Sequence, residues 1–100
     1  PIIITESGVA DSTDKLRQKA IGDYARILHE ELQAGIDIRG YFWWSTWDNF
    51  EWNLGPAMKF GLYACDPETK DRIKRPSADI FRRLAYHKMI ENSELVHTSI

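Results

Sequence analysis

The sequence predicts an α/β fold in which two strands and two helices form two consecutive strand–helix units of a larger structure. An apolar β-branched run, an amphipathic helical segment, an aromatic run, a turn-rich segment and a second helical segment follow one another along the 100 residues. The first run does not alternate polar and apolar residues, which is typical of a parallel strand buried on both faces. Two parallel strands alone would leave open edges and large apolar faces, so further strands are expected.

The first strand is predicted at residues 2–5, and the first helix begins at Leu16 and ends before Gly35. Residues 11–14 offer several N-cap side chains, and Gly35 suits the left-handed position that follows a helix C-terminus. Apolar residues recur at spacings of three or four, which predicts one buried stripe. The residues of this stripe are Leu16, Ala20, Tyr24, Ile27, Leu28 and Leu32.

The second strand is predicted within residues 36–44, whose aromatic and β-branched content favours a strand. Residues 45–75 contain Gly–Pro and Asp–Pro turn signals and are interpreted as a long loop. Within it, residues 59–63 are a candidate for a short irregular strand, and residues 70–76 are expected to be a solvated basic connection. A last helix begins at Pro76. Its apolar residues are Ile80, Phe81, Leu84, Ala85 and Met89.

Charge and composition exclude several classes of function. The formal net charge of -2 lacks the basic excess typical of nucleic-acid binding, and the apolar runs fall far short of the roughly 20 residues of a membrane span. The single cysteine, Cys65, cannot form a disulfide within the chain and favours a reducing, cytoplasmic compartment. The histidines, His29, His87 and His97, show no ligand spacing, so neither a metal nor another cofactor is predicted. Because the chain opens at Pro1 inside an apolar run, we expect it to be a piece of a longer protein.

Glu6 is the first candidate for a chemical role. It directly follows the first strand, in the segment Ile4-Thr5-Glu6-Ser7-Gly8. In barrels of parallel strands, catalytic residues lie at the C-terminal ends of the strands. From its position alone, Glu6 is equally well explained as a catalytic carboxylate or as an exposed loop charge.

An aromatic and acidic cluster follows the second strand, where ten residues include four tryptophans and two acids. Such residues bind sugars, because indole faces stack on apolar sugar faces while carboxylates accept hydrogen bonds from hydroxyl groups. The alternative is an aromatic core with acids that face water, and this interpretation is favoured for Trp43 and Trp47. Sugar binding is favoured for Trp44, Glu51 and Trp52, which fall at the C-terminal end of the strand.

Several motifs together resemble glycoside hydrolase family 1, the retaining β-glucosidases and related β-glycosidases. The segment that contains Glu6 resembles the family's nucleophile motif I-T-E-N-G, and residues 40–52 resemble its G-Y-F-x-W-S-x-x-D-N-F-E-W block almost residue for residue. Residues 59–62 resemble R-F-G-[LI], and residues 75–78 resemble the K-x-S-A start of the family's last helix. Three residues share the family's spacing after the nucleophile: Asp11, Asp14 and Arg17.

The resemblance implies a (β/α)₈ barrel, of which this chain is similar to the C-terminal section: strand 7, helix 7, strand 8, a long loop and helix 8. Glu6 matches the nucleophile that forms the glycosyl-enzyme intermediate. Trp44 and Phe60 match aromatic walls of the sugar subsite. Glu51 matches the carboxylate that binds the sugar hydroxyls at O4 and O6, and Trp52 matches an indole that binds a neighbouring hydroxyl. A carboxylate would repel a phosphate, so Glu51 favours an unphosphorylated β-glucoside, β-galactoside or β-fucoside as substrate.

A retaining glycosidase needs a second carboxyl group about 5–5.5 Å from the first. In the family this acid/base lies in a T-x-N-E-P motif that the chain lacks, while Glu51 matches a sugar-binding residue and Asp48 a loop residue. The chain alone is therefore not expected to be active. The partners implied are a β-glycoside and the N-terminal remainder of the barrel, in the same or a separate chain, with neither nucleic acid nor membrane.

Two departures and two alternatives remain. Ser7 stands where the family usually has an asparagine that orients the site, and Pro56 replaces a common aromatic residue. One alternative is a relative that binds sugar without catalysis. The other is a purely structural fragment whose aromatic residues fill a core.

Overall fold

The computed structural model describes residues 1–87. It contains a parallel pair of strands joined by a helix, then a 3₁₀ segment, an antiparallel hairpin and a second helix, which confirms the predicted strand–helix–strand unit. The elements are β1 (Ile2–Ile4), α1 (Lys15–Gln33), β2 (Ile38–Tyr41), the 3₁₀ segment (Trp52–Ala57), β3 (Tyr63–Cys65), β4 (Arg72–Lys74) and α2 (Pro76–His87).

The parallel pair aligns Ile2 with Ile38 and Ile4 with Tyr41, with an irregularity in register after Ile2. Burial of β1 on both faces was predicted, yet Ile2 and Ile3 are 49% and 55% exposed. Within residues 1–87, β1 pairs only with β2 in a sheet of two strands, so its burial on both faces within a larger sheet stays a prediction.

The side chain of Asp11, rather than that of the N-cap residue, caps the first turn of helix α1. Asp14 occupies the N-cap position with a left-handed φ of 67° and makes no side-chain cap. Instead, the Asp11 carboxylate accepts hydrogen bonds from the backbone N–H groups of Leu16 (2.8 Å) and Thr13 (2.9 Å). Slight burial would raise the pKa of Asp11, but a hydrogen bond from the Thr13 hydroxyl (2.8 Å), together with those from the N–H groups, outweighs burial and lowers the pKa. At the other end, Gly35 has φ 96° and follows the C-cap residue, which confirms its predicted role.

The buried face of α1 differs from the predicted stripe. Its buried residues are Arg17, Ile21, Gly22 and Ala25. In contrast, the predicted Leu16, Tyr24, Ile27 and Leu32 are 53%, 38%, 45% and 47% exposed. The prediction was wrong for these four residues because it counted apolar residues alone, whereas the packed face includes an arginine and a glycine. The predicted Ala20 does pack against the core.

The core lies between α1, α2 and the segments that follow β2. Ile21, Trp43, Leu62, Ala78 and Ile80 are buried together there. Several half-buried apolar residues pack against this core: Val9, Ala20, Tyr41, Tyr63, Phe81 and Leu84. The core therefore fixes the end of β2 against both helices.

The hairpin β3–β4 corrects two predictions for the long loop. The strand expected at residues 59–63 begins only at Tyr63, and the connection expected at residues 70–76 contains the exposed strand Arg72–Lys74. Asp66 explains the pairing, because its Oδ1 accepts the N–H groups of Glu68 and Thr69 at 2.8 Å each and closes the turn.

Helix α2 begins at Pro76 as predicted and buries Ser77, Ala78 and Ile80. Proline suits the first helical position, where no N–H partner is needed. The predicted apolar residue Met89 lies outside the described residues. Within residues 1–87, no helix combines the length and the apolar character that crossing a membrane would demand.

Candidate active site

The C-terminal ends of β1 and β2 lie at one edge of the sheet, since the two strands are parallel. The ladder continues beyond both strands: the Phe42 N–H donates to the Ile4 carbonyl (2.9 Å), and the Trp44 N–H donates to the Ser7 carbonyl (2.7 Å). The predicted nucleophile Glu6 lies between these two bonded carbonyls and is exposed. It forms no side-chain hydrogen bond within the described part of the chain. The structure thus brings Glu6 and Trp44 to neighbouring positions.

Residues 7 and 8 lie close against the second strand end. The hydroxyl oxygens of Ser7 and Tyr41 are 3.0 Å apart and share a hydrogen bond. A Cβ atom added to Gly8 would lie 2.0 Å from the Trp44 carbonyl oxygen, far inside contact distance. The chain after Glu6 therefore approaches Trp44 at a distance that glycine alone permits.

Ser45, which follows Trp44, connects Trp44 to the segment that contains Phe60. The Trp44–Ser45 peptide bond is cis. Ser45 is buried, its N–H donates to the Phe60 carbonyl (3.3 Å), and its carbonyl accepts the Leu62 N–H (2.9 Å). Trp44 is 40% exposed and Phe60 is half-buried. The two predicted aromatic walls consequently lie on adjacent segments.

Glu51 and Trp52 lie at the start of the 3₁₀ segment. Glu51 is half-buried, and its Oε2 accepts a hydrogen bond from Asn49 Nδ2 (2.9 Å) while its N–H donates to the Gly55 carbonyl (2.9 Å). Trp52 is 84% exposed with φ 47°. Asn49 was not singled out from the sequence, although its place two residues before Glu51 in the aromatic cluster was a signal that could have found it.

Asp48 stabilises this loop through hydrogen bonds with Arg75 and Gly61. Its oxygens Oδ1 and Oδ2 accept hydrogen bonds from Arg75 at 2.8 and 3.0 Å, and Oδ1 also accepts the Gly61 N–H at 3.0 Å. Burial alone would raise the pKa of Asp48, but the hydrogen bonds from Arg75 and Gly61 outweigh burial and hold the pKa below its usual range. Asp48 is therefore an ionised structural carboxylate at neutral pH, unsuited to donating a proton.

A buried cluster behind the site consists of Asp14, Arg17 and Ser77, and we call it the Asp14–Arg17 cluster. Arg17 is fully buried, and its Nη1 lies 2.7 Å from Asp14 Oδ1. Ser77 donates from Oγ to Asp14 Oδ1 (2.6 Å) and from its N–H to Asp14 Oδ2 (2.9 Å). Arg17 Nη2 also donates to the carbonyls of Asp11 (2.7 Å) and Lys59. The cluster joins the loop after Glu6, the segment before Phe60 and the first turn of α2.

Of the two tryptophans that were predicted to lie in a core, one is buried and the other is exposed. Trp43 is 9% exposed, and its ring centroid lies 6.0 Å from that of Tyr24, which confirms the interpretation. Trp47 is 46% exposed, and the Arg72 guanidinium lies 4.6 Å from the centre of its ring. The core interpretation of Trp47 is wrong, because this ring packs on the hairpin by a cation–π contact.

Comparison with known proteins places this geometry in a family. The sequence pattern described as Glycosyl hydrolase family 1 matches residues 1–90. The chain belongs to glycosyl hydrolase family 1. It is 44% identical over 85 residues to a β-galactosidase from Pyrococcus woesei, covering 84% of this chain and 17% of that protein. It is 37% identical over 97 residues to a bifunctional β-D-glucosidase/β-D-fucosidase from Bifidobacterium breve, covering 83% of this chain and 21% of that protein.

Solved structures give the same relation. The family 1 chain matches the hyperthermophilic β-glucosidase from Pyrococcus furiosus with a TM-score of 0.88 and 42% identity, covering 95% of this chain and 20% of that structure. The chain therefore spans about a fifth of the length of the relatives that it matches.

Among residues 1–87, no three side chains of His, Cys, Asp or Glu lie close enough together to hold a metal ion.

Proposed function

We propose that the complete protein carrying this chain hydrolyses terminal β-D-glycosidic bonds with retention of configuration, and that Glu6 is its nucleophile. The observation that carries this proposal is the 2.7 Å hydrogen bond between the Trp44 N–H and the Ser7 carbonyl. It holds the chain beside Glu6 against the segment that bears the aromatic and acidic side chains. Membership of glycosyl hydrolase family 1 supports the same reaction class.

The proposed reaction has two steps. In the first, a Glu6 carboxylate oxygen attacks the anomeric carbon and the bond to the leaving oxygen breaks, while an acid from outside this chain protonates that oxygen. In the second, the same outside group removes a proton from water, and the water displaces Glu6 to release the free sugar. Glu6 is exposed at the end of β1, so it is accessible to a substrate.

The proposed sugar subsite combines aromatic surface with one oriented carboxylate. Trp44 and Phe60 would stack on the sugar, Trp52 would donate its indole N–H, and Glu51 would accept hydrogen bonds from two hydroxyls. Asn49 supports the role of Glu51, because its 2.9 Å hydrogen bond leaves the other carboxylate oxygen available.

The substrate class follows from the charge of this subsite. A carboxylate at Glu51 would repel a phosphorylated sugar, so we propose an unphosphorylated β-glucoside, β-galactoside or β-fucoside. The relatives described as a β-galactosidase and as a bifunctional β-D-glucosidase/β-D-fucosidase agree with this range.

We also propose that the chain forms the last two strand–helix units of a (β/α)₈ barrel and requires the N-terminal remainder as its partner. The apolar side chains of Ile3 in β1 and of Phe42, directly after β2, are 55% and 60% exposed and would be covered by further strands. Cys65 is a free thiol, which is consistent with the proposed cytoplasmic compartment.

The test is Glu6→Gln in the complete protein, assayed with an aryl β-glucoside. Loss of the nucleophile should lower kcat by about 10³-fold or more, since glutamine cannot form the covalent intermediate. Glu31→Gln, which changes an exposed glutamate of α1, is the matched control and should retain full turnover.

A 2-deoxy-2-fluoro aryl β-glucoside should label the unmodified protein, and the label should be found on the peptide containing Glu6. A label on another residue, or normal turnover by Glu6→Gln, would refute the assignment. A complete protein that binds glucose without any turnover would instead be a sugar-binding relative.

A further inference from the structure

We propose that Tyr41 and Ser7 form a positioning pair that sets the place of Glu6 relative to Trp44. This inference rests on the proposed role of Glu6 as nucleophile. Neither residue is assigned to contact the sugar, so their effect would reach the reaction through the backbone beside Glu6.

Ser7 is held to the second strand end by two separate contacts. Its carbonyl accepts the Trp44 N–H at 2.7 Å, and its hydroxyl shares a hydrogen bond with the Tyr41 hydroxyl at 3.0 Å. On the other side of Glu6, the Ile4 carbonyl accepts the Phe42 N–H at 2.9 Å. Glu6 is thus bracketed by hydrogen bonds that all come from the same strand and its extension.

The two contacts of Ser7 differ in what they restrict. The backbone bond to Trp44 fixes one atom and still permits the peptide planes around residue 7 to rotate. The side-chain bond to Tyr41 adds a second fixed point outside the ladder, which restricts that rotation. Since Glu6 itself forms no side-chain hydrogen bond within residues 1–87, the direction of its carboxylate depends on this backbone.

Tyr41 is suited to be the fixed partner, because its backbone pairs with β1 and its ring packs against α2. It aligns with Ile4 in the parallel register, and its ring centroid lies 6.4 Å from that of Phe81 in α2. Tyr41 is half-buried and packs against the buried core. The position of its hydroxyl is therefore set by the core rather than by solvent.

The protonation state of Tyr41 suits this role. Burial raises the pKa of Tyr41 above its usual value, the hydrogen bond with Ser7 lowers it in part, and neighbouring Tyr24 raises it further. Tyr41 consequently stays neutral at physiological pH, so its hydroxyl can either donate to the Ser7 hydroxyl or accept from it.

The test uses the complete protein with Tyr41→Phe, Ser7→Ala and the double variant. Tyr41→Phe removes one oxygen and keeps the ring against Phe81. We expect kcat to fall roughly ten-fold in each single variant, below the roughly hundred-fold that a 1 Å misplacement can cost, with KM changed by less than about two-fold. The double variant should match the single ones rather than multiply them, because both remove the same hydrogen bond.

Three controls separate positioning from folding. Tyr86→Phe and Ser12→Ala change exposed hydroxyls and should leave kcat unchanged. Ser7→Thr keeps a hydroxyl at position 7 and should restore most of the lost kcat. The proposed positioning role would be overturned if the single variants had a lowered thermal midpoint but a normal kcat per folded molecule. It would also be overturned if the reductions in kcat multiplied in the double variant.

Glu6→Gln in the same assay distinguishes failure of the positioning pair from failure of the nucleophile assignment. If Glu6→Gln is inactive while Tyr41→Phe and Ser7→Ala turn over normally, the positioning pair is refuted and the nucleophile stands. If Glu6→Gln turns over normally, the nucleophile assignment fails, and the positioning pair fails with it.

Discussion

Arg17→Met is expected to destabilise the complete protein, because Arg17 is fully buried beside the Asp14 carboxylate. Methionine fills much of the same volume but leaves the carboxylate without its cation. Removing one partner of a buried ion pair costs about 3–5 kcal/mol. Three hydrogen bonds that remain reduce the loss: Ser77 still donates two to Asp14, and the Lys59 carbonyl still accepts the Asp11 N–H at 2.9 Å. We therefore expect the free energy of unfolding to fall by about 3–4 kcal/mol.

Urea unfolding followed by tryptophan fluorescence measures this loss. The matched control is Arg26→Met in the same helix, where Arg26 Nη1 lies 2.8 Å from Glu30 Oε1 in a pair that is partly exposed to solvent. Such a pair contributes about 0.5 kcal/mol or less. The double variant Asp14→Asn/Arg17→Met removes both charges and keeps an acceptor for Ser77, so it should recover at least half of the loss. The stabilising role of the Asp14–Arg17 ion pair is refuted if Arg17→Met loses no more free energy of unfolding than Arg26→Met. It is also refuted if the double variant recovers none of that free energy.

Two further predictions concern the loops around the site. Gly8→Ala should lower both kcat and the urea midpoint, because the added Cβ would lie 2.0 Å from the Trp44 carbonyl oxygen. In the control variant Gly35→Ala, the added Cβ meets no atom within 4 Å. This control should lower the free energy of unfolding by only about 1–2 kcal/mol and leave kcat unaffected. The lowered pKa of Asp48 should contribute stability that is complete above the unfolded pKa of about 3.9 and is lost as pH falls through the folded pKa. Urea midpoints measured from pH 7 to pH 3 should therefore fall less steeply in Asp48→Asn, and an unchanged slope would contradict the pairing with Arg75.

The sequence by itself determined the strand–helix–strand order, the C-terminal end of α1, the start of α2 and the family. These features depend on local signals, which act between residues close in the chain. Gly35 ends α1 because its φ of 96° suits glycine, and Pro76 begins α2 because its missing N–H costs nothing there. The family motifs are contiguous segments, so their side chains could be compared without knowledge of any distance.

Only the tertiary structure decided which side chains meet across long separations. Arg17 forms part of the buried face of α1 because the Asp14 carboxylate and the carbonyls of Asp11 and Lys59 accept its hydrogen bonds, and no apolar periodicity predicts a buried arginine. The Ser7–Tyr41 hydrogen bond joins residues 34 positions apart through the register of the parallel strands. Trp47 packs against the hairpin, which brings Arg72 over its ring. In each case the partner is chosen by how the elements pack, and a one-residue change of register would replace it.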